Sequence, residues 1–154
     1  MNLYLVQHGE AKPETEDTER PLADRGRNDI VRLGTLLARA GVSVAEIRHS
    51  GKRRAHETAQ ILAEALHPTR GVVLATGLAP KDPVESIARE VSYLDEDIML
   101  VGHLPHLGRL ATVLLTGHQD PSVVGFVPGT LARLDRSGGW SVGWLVPPEL
   151  TLCG

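Results

Sequence analysis

Cysteine is almost missing from this chain, which carries only Cys153 in 154 residues. A single thiol closes no internal bridge, so folding needs no oxidising compartment and the cytoplasm is the expected location. Aromatic residues are nearly as scarce, at 3%, which removes the stacking platforms that single-stranded nucleic acids use. A basic excess is lacking too, because the net charge is −3; a nucleic-acid partner is therefore not expected. No apolar run approaches the ~18 residues of a spanning helix, so no membrane partner is expected either. The apolar run at residues 3–6 is cut off by Gln7 and His8 and has no basic leader, so neither a signal peptide nor an anchor is read there.

What is present is an aliphatic core in the making. The chain is 42% hydrophobic, chiefly Val, Leu and Ala. A domain of this length buries roughly 70% of the surface its unfolded chain exposes, so residues 1–154 are read as a single domain. No internal repeat or low-complexity segment is evident.

Short apolar runs bounded by polar residues read as buried strands, at 3–6, 44–49, 72–74 and 98–101. Between them lie helical periodicities. Ile30, Leu33, Leu37 and Ala40 follow a helix start near Leu22 and precede the stop at Gly41. Ala55, Ala59, Leu62 and Leu66 repeat at the same spacing, and His67-Pro68 closes that helix. A short helix is predicted from Asp82, read as its N-cap, to Leu94. Leu107, Leu110, Ala111 and Leu114 form the face of a helix that starts near Pro105 and ends at Gly117.

Two late strands, 130–135 and 140–146, flank a turn at 136–139, and Trp140 and Trp144 read as core residues on one face. The expected fold is α/β, a three-layer sandwich. Its sheet is mostly parallel, with helices on both faces and an antiparallel C-terminal hairpin.

In such sheets ligands bind beyond the carboxyl ends of the strands. Three of the predicted strands end in His8-Gly9, in residues 50–54, and in Gly102-His103. The last two lead into helix N-termini, where free amides favour an anion. Residues 48–54 concentrate Arg48, Lys52, Arg53 and Arg54, and an arginine in the first helical turn offers a planar fork to two phosphate oxygens. Two imidazoles, a guanidinium and two helix starts on one sheet edge suit a phosphoryl group.

These segments resemble the histidine phosphatase superfamily. The resemblance rests on Leu5-Val6-Gln7-His8-Gly9-Glu10, on Arg20-Pro21-Leu22 with Gly26, on Ser50, Arg54, Ala55 and Thr58, and on Val101-Gly102-His103-Leu104-Pro105. The short length and the His-Leu-Pro at 103–105 look most like its phosphohistidine phosphatase branch, the SixA type. The resemblance implies a catalytic set of His8, Arg54 and His103, with no metal or organic cofactor. His8 would become phosphohistidine and water would release phosphate, while Arg54 and His103 hold the phosphoryl oxygens. Gln7, Gly9, Arg20 and Ser50 complete the expected phosphate-binding set. The implied partner is a protein bearing phosphohistidine.

Gln7 departs from the family, which has arginine there. An amide donates without charge, so phosphate binding should weaken, and Arg20 is the expected substitute cation. Two other functions therefore stay open: a phosphatase for a small phosphomonoester, and a catalytically weak module that binds phosphate or a phosphoprotein. Glu10 and Asp82 are the candidate proton donors to the leaving group.

Other signals carry less. His103 and His106 lack the further ligands of a metal site. His56-Glu57 begins a zinc-protease motif that fails at Gln60, and Gly51-Lys52 lacks the earlier glycine of a nucleotide loop. His67 is read as a helix cap, while His49 and His118 receive no role. The acidic loop at 14–19 reads as solvated surface that edges the pocket.

Overall fold

The alternation of apolar runs and helical periodicities resolves, in the computed structural model describing residues 1–153, into one series of strands and helices. In chain order these are β1 (Asn2–Gln7), α1 (Asp24–Arg39), β2 (Ile47–His49), α2 (Arg53–Leu66), β3 (Val72–Leu74), α3 (Glu85–Tyr93), β4 (Ile98–Gly102), α4 (His106–Thr116), β5 (Leu131–Arg136) and β6 (Trp140–Val146). A 3-10 helix, Pro148–Cys153, follows. The six strands form one sheet in the order β3-β2-β4-β1-β5-β6. The β3-β2-β4-β1 part is parallel, and β5 and β6 add antiparallel neighbours.

Alternation along β1 divides the core. Leu3 and Leu5 face a layer built by α3 and α4, including Ile87, Val91, Leu107 and Leu110. Tyr4 and Val6 face the opposite layer, where α1 and α2 supply Ile30, Leu33, Ala59 and Leu62. Helices thus cover both faces, as expected. Each fully buried Leu or Ile contributes ~1.5–3 kcal/mol of transfer free energy, which is why β1 and β4 form the centre of the sheet. Among the described residues, no helix is long and apolar enough to cross a membrane.

Several boundaries differ from the sequence reading. α1 begins at Asp24, because Leu22 is taken into a bridge with Ala11 that closes the preceding loop. β2 is only Ile47–His49. Its expected first half runs as irregular chain, where Ala45 N–H donates to Asp97 O at 2.8 Å and Val44 still enters the core. Asp82 is not the N-cap of α3. That helix starts at Glu85 with Val84 before it, and the Asp82 carboxylate instead accepts the Ala79 N–H at 2.9 Å. His67 does end α2, with φ +50° and its N–H on Ala63 O at 2.8 Å.

Trp140 and Trp144 do not share a face. Trp140 packs on the α3/α4 layer and Trp144 on the α1/α2 layer. The β5-β6 register explains this: Arg133 pairs with Trp144 and Leu134 with Val142, so Gly143 is an inserted residue that resets the alternation. A side chain there would run into the Arg133 guanidinium, which is why glycine fits.

Candidate active site

Parallel pairing of β1 and β4 puts Gln7 directly opposite Gly102. The residues that follow are therefore carried to the same point beyond the sheet. His8 N–H donates to Gly102 O at 3.1 Å, and the His8 and His103 rings lie 4.9 Å apart between centroids. β2 flanks β4 on its other side, so the turn after His49 reaches the same place, with Ser50 Oγ 2.6 Å from His103 Nε2. The first turn of α2 then brings Arg54, whose Nε donates to His8 Nε2 at 3.3 Å. The side chains of residues 8, 54, 103 and 50 are thus linked around one spot at the sheet rim.

Hydrogen bonding fixes the proton on His8. A carbonyl only accepts, so the 2.7 Å contact of Nδ1 with Gly9 O puts the proton on Nδ1. An arginine only donates, so Nε2 carries the lone pair. Both partners select the same tautomer, and it is the one a nucleophile requires. Burial is the main reason the ring stays neutral: it lowers the His8 pKa to about 4, with Arg54 and Arg20 adding to the effect against the Gly9 bond. His103 is lowered further, to about 3, by burial and then by His8, Arg54, Lys52 and His106.

The Nδ1 of His103 is buried without a partner. A bare lone pair there is a smaller loss than a stranded N–H, so its proton belongs on Nε2, donated to Ser50 Oγ. Ser50 Oγ also accepts the Lys52 N–H at 3.3 Å. With two donors on its oxygen, the Ser50 hydroxyl proton is free for an oxyanion.

The cations expected from sequence divide. Arg48 is tied to Glu46 at 2.5 Å and Glu90 at 2.7 Å, and Arg53 to Glu19 at 2.6 Å, so both are balanced structural charges. The Arg53 pair also fastens the acidic loop to α2. Arg54 is left unpaired by carboxylates among the described residues, and burial followed by the Arg20 charge lowers its pKa without removing its proton. Arg20 is held at φ +50° with its Nε on Lys12 O at 3.1 Å. From there its charge reaches both His8 and Arg54.

Gln7 is buried, and its Oε1 has no partner. Rotation of the terminal amide exchanges oxygen for NH2, so this side chain can present a donor at the same position. The two candidate acids point to other work. Glu10 is half exposed and lies 3.8 Å from Arg25. Asp82 is engaged by Ala79, and its charge is felt at His106, whose pKa burial lowers. Among the described residues, no group of three or more His, Cys, Asp or Glu side chains is arranged to hold a metal ion.

Two supports escaped the sequence reading. Thr58, fully buried on α2, accepts the Gly9 N–H at 3.1 Å and donates to Arg54 O at 2.7 Å, joining the His8 loop to the Arg54 turn. Its place in the Ser50–Thr58 motif was a signal, although no role followed from it. Gly129 N–H lies between Gln7 O and His8 O, at 3.0 and 3.1 Å, and nothing in the local sequence announces that contact.

Comparison with known proteins agrees with this fold. An uncharacterised protein of Picosynechococcus sp. is 34% identical over 129 residues, covering 77% of each chain. The protein histidine phosphatase SixA, solved with tungstate, superposes with a TM-score of 0.85 at 22% identity, over 97% of this chain and 99% of that one. A SixA structure from Agrobacterium tumefaciens gives 0.77 at 21% identity, over 94% and 97%. At these identities the structures establish the shared fold. The family model described as histidine phosphatase superfamily, branch 1, matches residues 3–79, half of the chain and the part that contains His8, Ser50 and Arg54. With an unprotonated imidazole nitrogen facing a guanidinium at the rim of the expected sheet, this chain belongs to the histidine phosphatase superfamily.

Proposed function

We propose that this protein is a phosphohistidine phosphatase, working as one domain over residues 1–154 in the cytoplasm on a phosphorylated protein. His8 Nε2 attacks phosphorus while the P–N bond to the partner's ring breaks. The electron pair returns to that ring, which leaves as neutral imidazole after its other nitrogen has taken a proton from solvent. Water then adds its oxygen to phosphorus, the Nε2–P pair returns to His8, and the water's proton goes to solvent. Arg54 and the Ser50 hydroxyl donate to the phosphoryl oxygens as their charge shifts, His103 holds the Ser50 oxygen through its Nε2–H so that this hydroxyl proton stays free, and Gln7 and Arg20 stand around the same group.

The observation that supports this reading most is the Asp82 carboxylate bound to the Ala79 N–H, with Glu10 half exposed to solvent 3.8 Å from Arg25. An alkyl phosphate needs a proton for its departing alkoxide. A phosphohistidine does not need one from the protein. Its first step also exchanges one P–N bond for another, whereas an ester exchanges a stable P–O bond for a labile P–N bond.

The test compares a phosphohistidine-bearing protein, an aryl phosphate and an alkyl phosphate, with His8→Ala as control. Turnover is expected to fall in that order and to vanish in the control. Equal or better turnover of the alkyl phosphate would favour a small-molecule phosphomonoesterase. Saturable binding without release would favour the binding module that the Gln7 departure leaves open.

A further inference from the structure

His49 ends β2, is buried, and is one residue ahead of Ser50. Its Nδ1 accepts the Gly51 N–H at 3.1 Å. A backbone N–H only donates, so Nδ1 holds a lone pair and the proton sits on Nε2. The bond spans two residues, the geometry by which an Asn or Asp side chain fixes a turn on its own following backbone. Gly51 has φ +94°, a conformation that other residues rarely adopt, and the bond closes the chain around it. That turn puts Ser50 Oγ between His103 Nε2 and the Lys52 N–H. The His56 ring, on α2, stacks on His49 with centroids 4.6 Å apart and planes at 22°, holding the His49 ring in orientation.

We infer that His49 is a positioning residue for phosphoryl transfer: its Nδ1 lone pair shapes the Ser50-Gly51 turn and so aims the Ser50 hydroxyl at the phosphoryl group. This deepens the phosphatase reading and rests on it. Protonated His49 has no lone pair for Gly51, so acid releases the turn. Burial, followed by the neighbouring His56, lowers the His49 pKa. His56 is the titratable group stacked on it from α2, while its neighbours in the sheet are Leu74 on β3 and Val101 on β4. Lys52 is the charge within the turn itself.

Three proteins test this: the parent, His49→Asn, which restores an acceptor at the same reach, and His49→Phe, which keeps the ring and its stack but accepts nothing. Turnover of the aryl phosphate should stay within about threefold of the parent in His49→Asn. It should fall about tenfold in kcat in His49→Phe, less than the ~10²-fold or more for deleting a donor outright. A Phe variant as fast as the parent, or an Asn variant as slow as Phe, overturns the role. A second readout covers a Phe variant that fails to fold. The acid limb of kcat should retreat to lower pH in His49→Asn, because an amide does not titrate; superimposable profiles for Asn and parent overturn the role. If the parent shows no His8-dependent turnover, the phosphatase reading fails by itself. The turn is then read from tungstate binding by calorimetry, where weaker binding by Phe but not by Asn supports it and equal binding overturns it.

Discussion

Arg54 donates its Nε–H to His8 Nε2 at 3.3 Å, so the nitrogen that carries the lone pair already faces the cation that would receive the phosphoryl group. The pair orients the reactive atom and adds to the burial that keeps the ring neutral. Arg54→Ala should lower kcat/KM by about 10²- to 10³-fold. The same substitution should raise the His8 pKa from about 4, though not to the ordinary 6.5, because burial is the larger cause. NMR titration of the His8 ring reads this directly. An unchanged pKa would mean that the guanidinium does not face the ring in solution.

Gln7 and Arg20 make a second pair to be tested jointly. The Arg20 charge reaches His8 and Arg54 from a loop residue held at φ +50°, while Gln7 brings no charge to the strand end. A charge-assisted hydrogen bond is worth about 1.5–3 kcal/mol, or roughly 10- to 100-fold. Arg20→Ala should therefore lower kcat/KM by about tenfold or more, and Gln7→Arg should raise it. In the Gln7→Arg background the Arg20 effect should shrink, which a double-mutant cycle measures. Turnover by Arg20→Ala equal to the parent would remove Arg20 from the site.

The convergence of His8, Arg54 and His103 was legible because each follows an uninterrupted apolar run or opens a helix, and parallel strands place such ends on one edge. The three layers were legible as well, since strands and helices alternate along the chain as far as α4. Less was readable where one local signal had two uses. Asp82 looks like a cap at any turn, and only the folded chain puts it on Ala79 rather than on α3. Trp140 and Trp144 are evenly spaced, but an inserted Gly143 changes faces between them. Of the four cations at 48–54, Arg48 and Arg53 meet Glu90 and Glu19, which lie far away in sequence. His49 appeared idle for a related reason: its bond to Gly51 depends on a turn that no periodicity encodes.

Thr58 supplies a stability prediction with a functional consequence. Its hydroxyl is fully buried and satisfies both the Gly9 N–H and the Arg54 carbonyl. Thr58→Val keeps the shape and strands the Gly9 donor, a loss of about 1–3 kcal/mol. Denaturant midpoints should fall accordingly, and kcat should fall with them, because the His8 loop and the Arg54 turn lose their common fastening. Thr58→Ser should recover most of the rate. If Val and Ser behave alike, the hydroxyl does not join the two segments.

Buried neutral histidines also set how the fold responds to acid. His8 and His103 have folded-state pKa values of about 4 and about 3, against 6.5 for a free ring, and burial lowers His49 and His106 as well. Below pH 6.5 the unfolded chain takes up protons that the folded rings refuse. Stability is therefore fully present above that pH and is lost as pH falls through the window down to the folded values. Each such ring contributes a slope of up to about 1.4 kcal/mol per pH unit. Urea unfolding between pH 7 and 5, above the range where most carboxylates titrate, should show this loss in the parent. His103→Phe removes one of the rings together with its unpaired Nδ1, so its stability should depend less steeply on pH than the parent's. Parallel slopes for the two proteins would mean that the His103 ring titrates in the fold as it does in water.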